Sequence, residues 1–137
     1  MTVKKLLPLI LMAVGAVFLL SSCDAILDAL YANNTITVSN TYVPTAYYGS
    51  TNPNSYVSIS LGGATGGSQN AGYTGTAISG LAYYNGVSFN KLPNGNYTVT
   101  ASFYGYYLGQ YFQYGPVTFS LSLPYNGSNV ASFYITF

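Results

Sequence analysis

The sequence predicts an all-β chain: an antiparallel β-sandwich of about seven short strands, preceded by a signal peptide. Three observations predict it. Apolar and polar residues alternate with period two after residue 34, as in strands with one buried face. Tyr, Val, Ile, Phe and Thr, which suit a pleated, half-buried surface, recur through those stretches. Asn-Gly, Gly-rich and Pro-containing breaks punctuate them, and no amphipathic helical pattern intervenes.

The chain begins Met1-Thr2-Val3-Lys4-Lys5, and an apolar run follows over residues 6–20, with Pro8 and Gly15 inside it. A basic region, an apolar core and small residues before a cleavage point describe a secretory signal. The run is about fifteen residues, short of the roughly twenty that span a bilayer. Ser21 and Ser22 end it before any basic stop signal. An uncleaved N-terminal membrane helix is the alternative reading.

The stretch Leu20-Ser21-Ser22-Cys23 resembles the lipobox of bacterial lipoproteins: a branched apolar residue, two small residues, then cysteine. The resemblance implies a diacylglyceryl group on the Cys23 thiol, cleavage between Ser22 and Cys23, and acylation of the new amino terminus. Cys23 is the only cysteine, so an internal disulfide is excluded, and lipidation removes a reactive thiol from an exported chain. Each buried methylene contributes about 0.8 kcal/mol, and stable anchoring takes more than one acyl chain. The modification supplies several, palmitate among them. The expected partner is a membrane, held through the lipid on Cys23, and the expected location is the bacterial cell envelope, with the domain exposed to the periplasm or the cell exterior. Asp24, next in the chain, resembles an inner-membrane retention signal of enteric bacteria.

The expected organisation is a signal peptide over residues 1–22, a lipidated tether over 23–34 and a β-sandwich over 35–137. Within the tether, Ala25-Ile26-Leu27-Asp28-Ala29-Leu30-Tyr31 has apolar residues at helical spacing. A turn or two of helix on the membrane surface and an irregular linker fit it equally, and Asn33-Asn34 ends any helix.

Strand expectations follow in order. Residues 35–43 alternate through Ile36 and Val38 and stop at Pro44. Residues 55–61 put Val57, Ile59 and Leu61 on one face. Residues 62–75, rich in Gly, Ser and Asn, read as a loop. Residues 76–84 read as a third strand, joined by an Asn85-Gly86 hairpin turn to a short strand over 87–91. Residues 95–107 alternate most clearly, with Tyr97, Val99, Ala101 and Phe103 on one face. Leu108-Gly109 is a turn candidate. Residues 117–123 alternate through Val117, Phe119, Leu121 and Leu123, and an Asn126-Gly127 turn leads to a last strand with Ala131, Phe133, Ile135 and Phe137 inward.

In Phe89-Asn90-Lys91-Leu92-Pro93-Asn94-Gly95-Asn96-Tyr97-Thr98-Val99, Pro93 and Gly95 make a tight corner. Tyr97 begins the next strand, placed to bond its hydroxyl back to the corner, like the tyrosine corner of immunoglobulin-like sandwiches. The stretch resembles a segment of prealbumin-like and collagen-binding B-type repeat domains of bacterial surfaces. That resemblance implies an immunoglobulin-like or prealbumin-like sandwich and says little of function. Many such repeats carry an internal Lys–Asn isopeptide bond promoted by an acidic residue. No acidic residue follows Asp28 here, so that bond is not expected. The terminal Tyr134-Ile135-Thr136-Phe137 resembles the aromatic end of outer-membrane barrels, but the lipobox and the polar alternate faces argue for a water-exposed sandwich.

Charge narrows the function. After cleavage the charged side chains are Asp24, Asp28 and Lys91, a sum of −1, with no His, Arg or Glu. Nucleic-acid binding needs clustered Lys or Arg and is not expected. General acid–base work needs His or a placed carboxylate, and a metal site needs His, Cys or grouped acids. No catalytic residue, metal or cofactor is therefore expected. A Ser–Lys nucleophile using Lys91 is formally available, but a turn lysine reads first as a solubilising group. The glycines of residues 62–67 lack the Gly-Lys-Ser/Thr of a phosphate loop. Asn33-Asn34-Thr35, Asn96-Tyr97-Thr98 and Asn126-Gly127-Ser128 match glycosylation sequons and, behind a bacterial leader, read as chance.

All sixteen tyrosines lie in the mature chain. Tyr104, Tyr106, Tyr107, Tyr111 and Tyr114 crowd one hairpin, and they are the candidate ligand-binding residues. Alternation puts about half of them outside. Exposed Tyr beside Asn, Gln and Ser suits sugar rings or a protein partner, although the absence of Trp counts against sugars. The leading expectation is a non-catalytic envelope domain in a structural or adhesive role. The second is a carbohydrate-binding module using the tyrosine hairpin. A third is self-assembly of charge-poor strands into fibres.

Overall fold

The computed structural model describes residues 33–63 and 66–137. The leader, Cys23 and the tether as far as residue 32 lie outside the described residues, and Asn34, expected to close the tether, instead opens the first strand, its buried side-chain amide donating to the Leu92 carbonyl at 2.9 Å. Eight strands account for most of the domain: β1 (Asn34–Pro44), β2 (Tyr56–Gly62), β3 (Gly67–Ile78), β4 (Leu81–Tyr84), β5 (Val87–Leu92), β6 (Gly95–Tyr107), β7 (Gln110–Leu123) and β8 (Val130–Thr136). The described residues form an all-β, antiparallel sandwich with one strand more than expected and, among them, one parallel pair, β1 with β8.

The first layer forms around β1. β8 runs along one side of it, from Thr35↔Val130 to Tyr42↔Thr136. Along the other side lie β5 and then β4, pairing the first and second halves of β1. The second layer runs β3, β2, β6, β7. β3 belongs to both layers, because its first half pairs β2 and its second half pairs β4.

Alternation decides which side chains meet between the layers. Val57, Ile59 and Leu61 of β2 and Tyr97, Val99, Ala101 and Phe103 of β6 are buried, as their period predicts. Ile36 and Val38 of β1 face them from the other layer, fully buried. Each such aliphatic side chain contributes about 1.5–3 kcal/mol by leaving water. Tyr84 of β4 meets Phe103 of β6 across the sandwich, ring centroids 5.5 Å apart at 67°, an edge-to-face geometry that the ring quadrupoles favour. The Tyr97 hydroxyl donates to the Pro93 carbonyl at 2.8 Å, which closes the corner ahead of β6.

Three local expectations are corrected. Residues 67–75 are strand rather than loop. Their intrinsic β preference is low, but register with β2 from Tyr56↔Gly72 to Leu61↔Gly67 gives residues 67–72 a continuous backbone partner, and Tyr73 pairs with Tyr84 of β4. Little side-chain burial is involved, since Ala71 alone among the β3 residues is fully buried. Residues 76–84 are two strands, β3 and β4, reversed at Ser79-Gly80. Their φ angles of 52° and 79° are those of a two-residue turn with both central residues left-handed. Asn85-Gly86 makes no hairpin: β4 and β5 follow one another along the same side of β1. A Cβ on Gly86 would lie 2.5 Å from the Ser39 carbonyl oxygen, so the glycine serves close strand approach there. Leu108-Gly109 (φ 49° and 79°) and Asn126-Gly127 (φ 48° and 77°) do reverse the chain.

Candidate functional site

Tyrosines gather where the β6–β7 hairpin meets the loop of residues 45–55. The hairpin register sets their directions. Tyr106 pairs with Tyr111, Tyr104 with Gln113, and Phe103 with Tyr114. Paired residues share a face, so Tyr104, Tyr106 and Tyr111 lie on the outer face, and Tyr114 turns inward with Phe103. β2 adds Tyr56, which stands opposite Tyr104.

The outer cluster packs largely against itself. Tyr56 stacks on Tyr104 at 5.0 Å and 18°, and meets Tyr111 edge-on at 5.9 Å. Tyr106 lies 5.0 Å from Tyr111. Tyr111 is 54% exposed and presents the freest ring of the four. Beyond these rings the same face continues as a carpet of small polar side chains. Thr98 and Ser120 share a hydrogen bond at 3.3 Å, and the Ser122 hydroxyl donates to Asn96 Oδ1 at 2.6 Å. No charged side chain interrupts this face.

The loop is clamped onto the hairpin by three features. The Ser55 hydroxyl donates to the Gly49 carbonyl at 2.6 Å and accepts from the Tyr106 amide at 2.7 Å. The Tyr48 amide donates to the Tyr114 hydroxyl at 3.2 Å. Gly105 leaves the space in which the loop sits, since a Cβ there would collide with the Tyr48 carbonyl. The Tyr47 ring then stacks on Tyr114 at 4.1 Å and 9°. Tyr114 is therefore engaged in holding the loop.

The clamp sends Tyr48 outward. Its ring stacks on Tyr107 at 5.4 Å and 21° and touches Phe112 at 5.2 Å. Tyr48 is 55% exposed and Tyr107 43%. Both border an open basin of about 490 Å³, whose other walls include Thr45, Ser50, Thr51 and Asn52. Leu108, at the hairpin tip, is 86% exposed. Rings, hydroxyls, amides and carbonyls make up the site, which suits an uncharged ligand with both apolar faces and hydroxyl groups.

Behind the site, the Tyr84 hydroxyl donates to the Ser50 carbonyl at 2.7 Å. Burial pushes this hydroxyl well above the ordinary tyrosine range, with Ser55 hydrogen bonding in the opposite sense. Lys91 is exposed, in a left-handed backbone conformation (φ 56°) where β5 departs from register with β1, and it borders neither this basin nor its tyrosines.

Of the five hairpin tyrosines expected from sequence, the outer face collects Tyr104, Tyr106 and Tyr111, the basin takes Tyr107, and Tyr114 packs inside. Sequence reasoning missed Tyr48 and Tyr56 as members. The adjacent Tyr47-Tyr48 pair was the available signal for the first. Only the β2–β6 register reveals the second. In comparison with known proteins, the chain matches no family model, no curated protein and no solved structure.

Proposed function

We propose that this chain is a lipid-anchored protein of the bacterial cell envelope whose sandwich acts by contact, in a structural or adhesive role, and performs no catalysis. One observation carries the reading: Leu20-Ser21-Ser22-Cys23 closes a basic-then-apolar leader in a chain with no other cysteine. The charge pattern supports it. With Lys91 the single charged side chain after Asp28, the domain's chemistry lies in rings, hydroxyls and amides, the groups of recognition surfaces. Metabolic labelling with an alkyne fatty acid in a bacterial host tests the anchor. The wild-type chain takes up label and sediments with membranes. Cys23→Ser takes up none; a Cys23→Ser chain labelled as strongly as wild type would contradict the assignment.

A second reading is supported by the basin: a carbohydrate-binding module. Tyr48 and Tyr107 offer ring surface beside Thr45, Thr51 and Asn52, the pairing of apolar face and polar tip that sugars use. Screening the protein on a glycan array and on peptidoglycan tests it. Binding that falls about tenfold or more in Tyr48→Ala and Tyr107→Ala supports the module. No binding, or binding indifferent to those changes, leaves the structural or adhesive role.

A further inference from the structure

The two layers end on unpaired strands. Among the described residues β7 pairs only with β6, and β8 and β5 only with β1, β5 being guarded by Lys91 and by its break in register. Between them the sandwich opens in a slit of about 230 Å³, floored by Leu121 and Ala131 and flanked by Phe119, Phe133 and Tyr125. Phe119 and Phe133 touch edge-to-face at 4.5 Å, and both remain half-buried.

Exposed edges recruit other strands unless charges, prolines or bulges blunt them. β7 has two such guards, Pro116 and the break in register opposite residues 101–103. Both precede residue 117. The remaining seven residues, Val117-Thr118-Phe119-Ser120-Leu121-Ser122-Leu123, carry neither charge, proline nor bulge. They form a regular strand from Val117↔Ala101 to Leu123↔Gly95.

We propose that this edge is a dimer interface: β7 of one molecule pairs antiparallel with β7 of a second copy about a two-fold axis through Ser120. The segment's own pattern names the occupant. Centred on Ser120, its reversed copy sets Phe119 against Leu121 and Val117 against Leu123 on the inner side. On the outer side it sets Thr118 against Ser122 and Ser120 against Ser120, so that apolar meets apolar and polar meets polar at every position. The second copy's Phe119 and Leu121 then extend the inner face over the open slit. Nothing electrostatic opposes the approach, because Lys91, on β5, is the sole charged side chain from Asn33 onward, and proteins near zero net charge lack self-repulsion. A two-fold contact uses one surface twice and closes, giving a dimer and not a filament. The inference is independent of the membrane anchor.

Cysteine cross-linking of the full chain in producing cells tests it, with the wild-type chain as the control for Cys23. Ser120→Cys places two thiols opposite one another, within reach of a short bismaleimide, and is expected to give a discrete covalent dimer. Adding Thr118→Lys with Ser122→Lys puts like charges opposite at both ends and lowers dimer yield about tenfold. Thr118→Lys with Ser122→Glu, which puts opposite charges there, restores it. Thr118, Ser120 and Ser122 are exposed, and protease resistance reports folding of each variant. A folded Ser120→Cys chain that stays monomeric overturns the proposal. So does a dimer indifferent to the paired lysines. So does a ladder of higher multimers that appears when Ser132→Cys on β8 is combined with Ser120→Cys, since that would mark head-to-tail pairing of β7 with β8.

Discussion

Tyr84 shows how much one hydroxyl does in a domain with so few charges. Its ring is fully buried against Phe103, and its hydroxyl donates to the Ser50 carbonyl in the loop that shapes the basin. Tyr84→Phe removes that bond and is expected to cost about 1 kcal/mol at neutral pH, read from urea unfolding. The same residue sets an alkaline limit. Burial holds the proton on Tyr84 in the folded chain, while in the unfolded chain it leaves near pH 10. The folded state therefore binds more protons above that pH, and stability, complete below about pH 10, falls as pH rises towards the folded-state value. Tyr84→Phe should flatten this fall, and an unchanged alkaline slope would count against the burial argument. Leu108 pulls the other way: a branched side chain held at φ 49° and almost wholly in water. Leu108→Asn, which tolerates that conformation, is expected to raise stability by about 1 kcal/mol. If Leu108 also contacts a partner, its replacement will weaken adhesion while strengthening the fold.

At the level of elements, the hairpin and the loop work as one unit through Gly105. Gly105→Ala drives a methyl group into the Tyr48 backbone and is expected to cost about 1–3 kcal/mol, with lost order around Tyr48 and Tyr107. Unfolding by urea checks the first and near-UV tyrosine circular dichroism the second. Such contacts bound what a sequence discloses. The period of β2 and β6 and the core faces of Val57, Ile59, Val99 and Phe103 were legible because alternation follows from backbone geometry alone. Leu108-Gly109 and Asn126-Gly127 were legible as turns because glycine, and asparagine before it, tolerate the left-handed backbone that a tight reversal needs. Asn85-Gly86 misled, because the identical dipeptide serves a close approach to Ser39 when the chain continues along β1. Residues 67–75 of β3 were invisible because their glycines, serines and asparagines are held by pairing with β2 and β4, which no local pattern encodes, whereas residues 76–78 already read as strand. Tyr56 joined the cluster only through register with Tyr104, and Tyr114 left it through register with Phe103, where the incoming loop then packs Tyr47 on it.

Across the whole molecule, the absence of charge links the fold, the edge and the proposed anchor. A domain with Lys91 as its one charged side chain cannot be captured by charged surfaces at a distance. Its encounters must be arranged by location, and a lipid on Cys23 would arrange them by confining the sandwich to a membrane. There the basin and the β7 edge would work at high local concentration. The measurement that bears most directly on this is intact mass spectrometry of the native protein. The account predicts a chain that starts at Cys23 and carries a diacylglyceryl thioether with a further acyl group on the amino terminus. A native chain with an unmodified Cys23 thiol, or one that retains residues 1–22, would contradict it.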